Sequence, residues 1–435
     1  MKSAEDDLAR IQRSIDELCF ELYGIGEQDR RQIETGFDSG AGVADSEDDD
    51  EEVEPEEVDI GALVESLLSW SLGVAVGRFD PRLATGVHDP PPEPEPFAPL
   101  PSRSPGMPTG EDGLPLNGPP PGYPVDFPRD GILVDDAGHD RDLVARMRQV
   151  FELVFGDEAD AVWRESSEIL EARKQDLRAW VGRSFFEGHV KDYSKSRRKA
   201  PIYWQLSTPS ASYSVWLYLH RFTRDTLYKV LNDFVEPKLR HEERKLASLT
   251  QEAAGTPTSS QRKEIHVQTG FVEELRSFRD EVARIAPLWN PTLDDGVIIN
   301  FAPLWRLVPQ NRSWQKECKK VWDKLCKGEY DWAHLAMHLW PERVVPKCHK
   351  DRSLAIAHGL EDVFWEEDTD GKWKSREVDP ATVDGLIAEH TSAAVRGARQ
   401  SLLDAPVPTR GGSKSRGRRA RKGRRPQEPS KGAET

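Results

Sequence analysis

The residues of this chain best suited to chemistry lie between Lys195 and Pro209. Cations, an aromatic pair and two hydroxyls follow one another there, at Lys195, Arg197, Arg198, Lys199, Tyr203, Trp204, Ser207 and Thr208. Lysine and arginine neutralise phosphates, aromatic rings stack on bases, and hydroxyls reach phosphate oxygens. We therefore expect these residues to bind DNA. A solvated basic turn that leads into a buried strand is the alternative that the sequence leaves open.

The charge of the chain is distributed very unevenly. Its 435 residues carry a net charge of -16, yet residues 45–59 are nearly all acidic and residues 410–425 are mostly Arg and Lys. Blocks of like charge repel themselves and stay solvated, so we expect a disordered acidic linker at 37–59 and a disordered basic tail at 406–435. The tail could hold any polyanion, contact the acidic run, or serve only as a solubilising end. The net charge therefore excludes no partner of the folded part.

Cysteine usage and hydropathy favour the cytoplasm. Cys19, Cys318, Cys326 and Cys348 are too few and too scattered for a disulfide framework in a chain of this length. The N-terminus lacks the apolar core of a signal peptide, and no apolar run reaches the length of a bilayer-spanning helix. We expect a cytoplasmic protein with no membrane partner.

The first part of the chain divides by pattern into short segments. Apolar residues recur at alternating intervals of three and four and predict an amphipathic helix within the region 1–36, at Leu8, Ile11, Ile15, Leu18 and Leu22. A short polar helix is expected at 27–34 and another helix at 60–80. Half of the prolines fall in the segment 81–129, which predicts an extended Pro-rich connector and a domain boundary.

The remaining sequence predicts a mainly α fold with small β elements, of the α+β class. A C-terminal domain at 130–372 is expected to contain helices at 140–155 and 158–193. A change to period-two patterning around residues 208–210 predicts a β-hairpin. Two long helices with a polar tip predict an antiparallel helical hairpin at 225–286. One polar helical segment follows at 373–405, with its helix near 383–403.

No segment supplies a complete catalytic motif. Amino-methylation of a base needs an Asp/Asn-Pro-Pro-aromatic turn, and the segments 89–92 and 117–123 lack the aromatic or hold it at the wrong spacing. The glycines near 24–26 and 37–42 follow no apolar strand, so they predict no cofactor loop. His334 and His338 have a spacing that can present two imidazoles to a metal, but core histidines are favoured. We expect no catalytic residue, bound metal or bound cofactor in this chain.

Several segments together resemble a known family. Residues 8–34, with LYGI at 22–25, resemble the closing helix of the target-recognition region in large single-chain adenine-specific DNA methyltransferases. The basic-aromatic segment and four other stretches resemble the C-terminal extension of the phage-defence members, of BREX or PglX type: LGVAVGRFD at 72–80, DGILVDD at 130–136, WAHLA at 332–336 and WPER at 340–343. The resemblance covers most of residues 8–365.

This resemblance implies a role in phage defence or restriction-modification. Members transfer a methyl group from S-adenosylmethionine to adenine N6, and their catalytic motifs lie in an upstream domain. The resemblance therefore implies a C-terminal recognition or accessory module that binds double-stranded DNA, the catalytic subunit, or both, and that is not active alone. S-adenosylmethionine would be bound by a separate methyltransferase domain or subunit. A scaffold that docks a methyltransferase or another defence subunit through the helical hairpin is the alternative.

Overall fold

The computed structural model describes most of the chain, in the ranges 2–26, 30, 59–89, 106–110, 115–170, 177–195 and 198–406. Within it the chain forms two compact units, residues 1–58 and residues 59–435. The acidic linker up to residue 58, the basic tail from residue 407, and Arg197 lie outside the described residues, as does the polar helix predicted at 27–34 apart from Arg30.

The described part of the first unit contains one long amphipathic helix, α1 (Lys2–Leu22). Ile11, Ile15 and Leu18 are exposed along this helix. The chain leaves the helix at Gly24, whose φ of 63° is a left-handed conformation that glycine adopts without steric cost. The amphipathic helix predicted near the N-terminus is confirmed.

The second unit is mainly helical. Its helices are α2 (Ile60–Ala75), α3 (Pro81–Ala84), α4 (Leu143–Phe155), α5 (Ala159–Ile169), α6 (Leu177–Trp180), α7 (Phe186–Asp192), α8 (Thr226–Lys229), α9 (Glu236–Glu252), α10 (Ser259–Ile285), α11 (Val297–Phe301), α12 (Arg312–Lys327), α13 (His334–Leu339), α14 (Pro341–Cys348), α15 (Arg352–Ala357), α16 (Glu361–Phe364), α17 (Pro380–His390) and α18 (Ala393–Asp404). Its strands are β1 (Ile132–Asp135), β2 (Ser194–Lys195), β3 (Arg198–Lys199), β4 (Tyr203–Ser207), β5 (Ser214–Tyr218), β6 (Trp365–Glu367) and β7 (Trp373–Ser375). The predicted mainly helical fold with small antiparallel sheets is confirmed.

A three-stranded antiparallel sheet in the order β1-β5-β4 lies at the centre of this unit. Trp216 pairs with Leu133 on one side and with Gln205 on the other. Every residue of β4 and β5 is buried, so helices and loops cover both faces of the sheet. The predicted β-hairpin is therefore confirmed, and it forms the core rather than a surface ribbon.

The long helices α9 and α10 form the predicted helical hairpin. The Gln268 side chain of α10 donates hydrogen bonds to the Glu242 carboxylate, at 2.7 Å, and to the Glu242 backbone oxygen, at 3.2 Å. A capping box between Thr258 and Gln261 begins α10 after the polar tip. A π-helical turn, Val230–Val235, joins α8 to α9 at the base of the hairpin.

Part of the Pro-rich connector packs on the core as an extended strap. Val125 and Phe127 are buried, and the Tyr123 hydroxyl donates to the Asp80 carboxylate at 3.2 Å. Gly77 has a φ of 78°, and a Cβ at this position would lie 2.3 Å from the Phe127 ring. For this reason the helix expected at 60–80 ends earlier, at Ala75, and the chain turns under the strap.

The helix expected near 383–403 is two helices, α17 and α18. The break falls at Thr391, and the Ser392 hydroxyl accepts the N–H of Val395 as the N-cap of α18. The far end of α18 is held by Arg306, which is buried, pairs with Glu281 at 2.6 and 3.0 Å, and donates to the backbone just beyond the helix. None of the helices in the described ranges is both long and apolar enough to cross a membrane.

Candidate nucleic-acid interface

The aromatic pair predicted to stack on bases lies in the protein core. Tyr203 and Trp204 are 1% and 0% exposed. The Trp204 ring packs against Phe301 and Phe222, with ring centroids 4.2 and 4.6 Å apart, and the Tyr203 hydroxyl accepts a hydrogen bond from Arg78 at 3.2 Å. Neither ring has a face open to a base, so the predicted stacking role of these two residues is wrong.

The two hydroxyls predicted to reach phosphates are also buried. Ser207 ends β4 and Thr208 follows it, and both hydroxyls donate to the backbone oxygen of Tyr213, at 3.2 and 3.3 Å. These hydrogen bonds pair the Tyr213 carbonyl in a tight turn that is closed away from water. An unpaired buried carbonyl would be costly. The predicted phosphate contacts of Ser207 and Thr208 are therefore wrong, and these residues hold the turn of the hairpin.

The cations of the same segment lie at the surface. Lys195 and Arg198 are exposed and face each other across the small antiparallel ladder of β2 and β3. Lys199 is half-buried and forms an ion pair with Glu317 of α12. Arg197 lies outside the described residues. DNA binding by Lys195, Arg198 and Lys199 stays a prediction, because exposure alone does not test it.

A buried histidine fixes the position of this segment. The Nε2 atom of His189, in α7, accepts the N–H groups of Ile202 and Tyr203, both at 3.0 Å. Burial, with a smaller effect of the Arg78 guanidinium, lowers the pKa of His189 to about 3. The neutral imidazole thus ties the chain that follows β3 to α7, and it holds the β2–β3 hairpin against the core.

Helix α12 adds a second set of cations that the sequence analysis did not single out. Arg312, Lys316 and Lys320 follow at intervals of four, Lys327 continues the stripe, and all four are exposed. Each interval of four advances the helix by about 6 Å and rotates it by only about 40°, so the stripe lies on one face. The opposite face is apolar and buried. In the described part of the chain none of the four forms an ion pair, whereas Lys319 pairs with Asp323.

The signal for this stripe was present in the sequence. Cations at intervals of four alternate with apolar residues at helical spacing, which is the pattern of an amphipathic helix with a basic outer face. The tryptophans of α12 lie on its inner face, where Trp314 and Trp322 are buried. We call the surface formed by the β2–β3 hairpin and the α12 stripe the basic face, with the residues Lys195, Arg198, Lys199, Arg312, Lys316, Lys320 and Lys327.

A cleft of about 240 Å³ lies where the hairpin meets α12. Lys191, Lys199 and Ser313 line it beside the N-terminus of α12, together with Trp314 and one carboxylate, Glu187. The buried Nε1 of Trp314 has no hydrogen-bond partner among the described residues. Because a helix N-terminus carries a partial positive charge, the cleft combines N–H and ammonium donors suited to a phosphate oxygen.

The described residues form neither a metal-binding cluster nor a sheet of parallel strands. They contain no group of three or more His, Cys, Asp or Glu placed to hold a metal ion. The named strands pair antiparallel in every sheet, so they do not form the open parallel sheet at whose edge doubly wound folds bind dinucleotides. We assign no methyl-transfer step to the described residues.

The described fold is that of a mainly helical protein with small antiparallel sheets and an exposed basic face. The chain is 28% identical over 188 residues to the adenine-specific methyltransferase PglX of Lacticaseibacillus casei (strain Zhang). It is 26% identical over 200 residues to the adenine-specific methyltransferase BrxX of Escherichia coli O9:H4 (strain HS). The alignments cover 39% and 41% of this chain, and 15% and 16% of those proteins.

The similarity is therefore distant and partial, and the chain spans about a sixth of the length of the curated relatives that it matches. The relation to PglX-type adenine methyltransferases that the sequence predicted is confirmed at this level. No family model matches the chain.

Proposed function

We propose that this chain is a DNA-engaging accessory module of an adenine-specific DNA methyltransferase system of BREX or PglX type. Its basic face binds the phosphates of duplex DNA, and a separate domain or subunit binds S-adenosylmethionine and transfers the methyl group. One observation carries the proposal. Two sets of cations far apart in the sequence meet across the Lys199–Glu317 ion pair and share one surface: Lys195, Arg198 and Lys199 of β2 and β3, and the stripe on α12.

The shape of the basic face suits a phosphate backbone. The stripe on α12 extends over about 22 Å, at about 1.5 Å per residue. Each strand of duplex DNA presents a phosphate every ~3.4 Å of helix axis, so a rigid basic helix of this length can reach several of them. Such contacts position a protein on DNA and carry little sequence information. The module therefore supplies grip and orientation, and target choice belongs to the partner.

The salt dependence of DNA binding tests this proposal. A chain that ends at residue 406 lacks the basic tail, which would bind any polyanion. The anisotropy of a fluorescent duplex reports binding to this chain at salt concentrations from about 50 to about 200 mM, a range over which phosphate contacts weaken strongly. The triple variant Arg312→Ala, Lys316→Ala, Lys320→Ala is expected to lower the salt slope by about 2.7, because each lost phosphate contact contributes about 0.9.

A matched triple variant on another surface is the control. Arg240→Ala, Arg244→Ala, Lys245→Ala removes the same charge from the exposed side of α9. We expect the salt slope of this control to differ from the wild-type slope by less than the contribution of about half a phosphate contact. Equal losses in the two triple variants would mean that net charge, rather than the basic face, governs binding, and would refute the proposal.

A second candidate function rests on the helical hairpin. The base of the hairpin packs into the core, but between residues 243 and 267 none of its side chains is buried. Val267 is 63% exposed in this outer part. A projecting arm of this kind suits a scaffold that docks a methyltransferase or another defence subunit. Co-purification that survives nuclease treatment, and that is lost when residues 247–263 are replaced by a short Gly-Ser link, would favour it.

A further inference from the structure

A second pocket, lined by histidines, lies between α13 and the C-terminal helices α17 and α18. Its volume is about 470 Å³, which is within the range of small-molecule sites. His334, His338, His358 and His390 line it, together with Arg224 and Thr391. His334 and His338 lie four residues apart on α13, whereas His358 follows α15 and His390 ends α17, so the tertiary structure brings the three elements together.

Two of the imidazoles are fixed by hydrogen bonds. The Asp295 carboxylate accepts the backbone N–H groups of His334 and Leu335, at 2.7 and 2.8 Å, and the Nδ1–H of His334 at 2.9 Å. The Nε2–H of His358 donates to the backbone oxygen of Asp331 at 2.7 Å. Asp295 thus accepts three N–H groups, which fix the start of α13 and the orientation of the His334 ring.

The donors of the pocket favour an anion. Ser392 is the N-cap of α18, a helix of 12 residues whose N-terminus lies beside the pocket. Arg224 is exposed, and among the residues that the structure describes it forms no ion pair. Glu389 is an exposed carboxylate at the rim. The first turn of α18 and Arg224 therefore place N–H and guanidinium donors at the pocket.

A buried hydroxyl adds an independent indication of a ligand. Thr391 is 8% exposed, and its Oγ1 has no hydrogen-bond partner in the described part of the chain. Native proteins pair nearly all of their buried polar atoms, so an unpaired hydroxyl at a pocket calls for a partner such as a ligand, an ion or a water. A purely structural role would not require the hydroxyl of Thr391, since valine would fill the same space without an unpaired polar group.

We propose that the histidine pocket binds a phosphate-bearing small molecule of nucleotide size. The phosphate lies between Arg224 and the N-terminus of α18, where it accepts hydrogen bonds from the first turn of the helix and from Thr391. The imidazoles of α13 and of His358 line the rest of the pocket and contact the remainder of the ligand. The histidines do not form a metal site, because no metal-binding group occurs among the described residues.

Histidine-selective NMR of the full chain tests the pocket. The chain has 11 histidines, so the carbon-labelled imidazole signals can be assigned one by one with His→Gln variants. Inorganic phosphate and ADP are the probes. We expect both to shift the signals of the four pocket histidines, and to leave those of the exposed His241 and His266 in place. Shifts of equal size at the exposed histidines, or none in the pocket, would overturn the proposal.

Two variants separate binding from folding. Arg224→Ala is expected to raise the Kd for ADP at least tenfold, whereas Arg240→Ala, on the exposed side of α9, leaves it unchanged. Thr391→Val is expected to raise the Kd severalfold without lowering the unfolding midpoint, because it removes a hydroxyl that has no partner. If Thr391→Val and Arg224→Ala bind ADP as the wild type does, the pocket is not a phosphate site.

The source of the phosphate is resolved by one further comparison. A short duplex with a 5′-phosphate is added in place of ADP. If the pocket takes only small molecules, the NMR signals of its histidines should not shift at duplex concentrations below the one that saturates the basic face. Shifts caused by the duplex alone would overturn the assignment to a small molecule. Arg224→Ala should leave duplex affinity unchanged, so this proposal and the proposed DNA binding can fail separately.

Discussion

The substitution His189→Gln tests the link between one buried imidazole and the pH dependence of folding. His189 accepts two backbone N–H groups through Nε2 and is 2% exposed. Only the neutral imidazole can accept these hydrogen bonds, and burial opposes its charge. A glutamine amide oxygen can accept the same N–H groups but does not titrate.

The size of the effect follows from the two pKa values. The pKa of His189 is about 3 in the folded state, against an ordinary value of 6.5. The folded state therefore binds fewer protons than the unfolded state, and stability falls as the pH falls. The contribution of the neutral imidazole is complete above about pH 6.5 and is lost progressively toward pH 3; between pH 7 and pH 5 the loss is roughly 2 kcal/mol.

Urea unfolding followed by tryptophan fluorescence, at several pH values, measures this loss. The wild type should lose roughly 2 kcal/mol more than His189→Gln between pH 7 and pH 5. Other acid-sensitive groups are common to both proteins and cancel in the difference. The control His266→Gln, at an exposed position, should follow the wild type. If wild type and His189→Gln lose the same stability, the assignment of a neutral, hydrogen-bonded His189 is refuted.

Three further substitutions test the packing. Gly77→Ala should destabilise the protein by about 2–4 kcal/mol in urea unfolding, because the added Cβ would lie 2.3 Å from the Phe127 ring at a φ of 78°. Arg306→Leu should destabilise the protein by about 1–3 kcal/mol, because the half-buried Glu281 carboxylate keeps only its ion pair with Arg284 and the backbone oxygen of Ala405 loses its donor; Glu281→Gln in the same chain should restore part of the unfolding midpoint. Trp204→Phe should lower the free energy of unfolding by about 1–3 kcal/mol, because the smaller ring leaves a cavity. The affinity for duplex DNA, measured by anisotropy, should not change. A loss of affinity would support the stacking role of Trp204 after all.

Patterns of local origin could be predicted from the sequence. The spacing of apolar residues predicted α1 and the helical hairpin, and the change to β-branched and aromatic residues predicted the β4–β5 pair. These features arise from backbone periodicity and turn chemistry, which depend on neighbouring residues. The boundary at Ala75 and the break at Thr391 were missed, because the first depends on a distant ring and the second on a single cap.

The functional surface illustrates the limit of such patterns. Tyr203 and Trp204 have the same side chains whether they face solvent or the core, and the choice depends on Phe301 and Phe222, which lie elsewhere in the sequence. The α12 stripe had a visible periodicity, but its nearness to the β2–β3 hairpin depends on the Lys199–Glu317 contact. The sequence shows where the cations occur along the chain, and folding decides which of them share a surface.

By itself the sequence determined the helical class of this protein, its segmentation by charge and proline, and its partial relation to the adenine methyltransferases. Only the tertiary structure decided that the aromatic pair fills the core, that α12 completes the basic face, and that histidines from separate elements converge beside Arg224. The physical reason is the range of the forces involved. Periodicity and capping act within a few residues, whereas burial and charge proximity are set by contacts between segments that are distant in the chain.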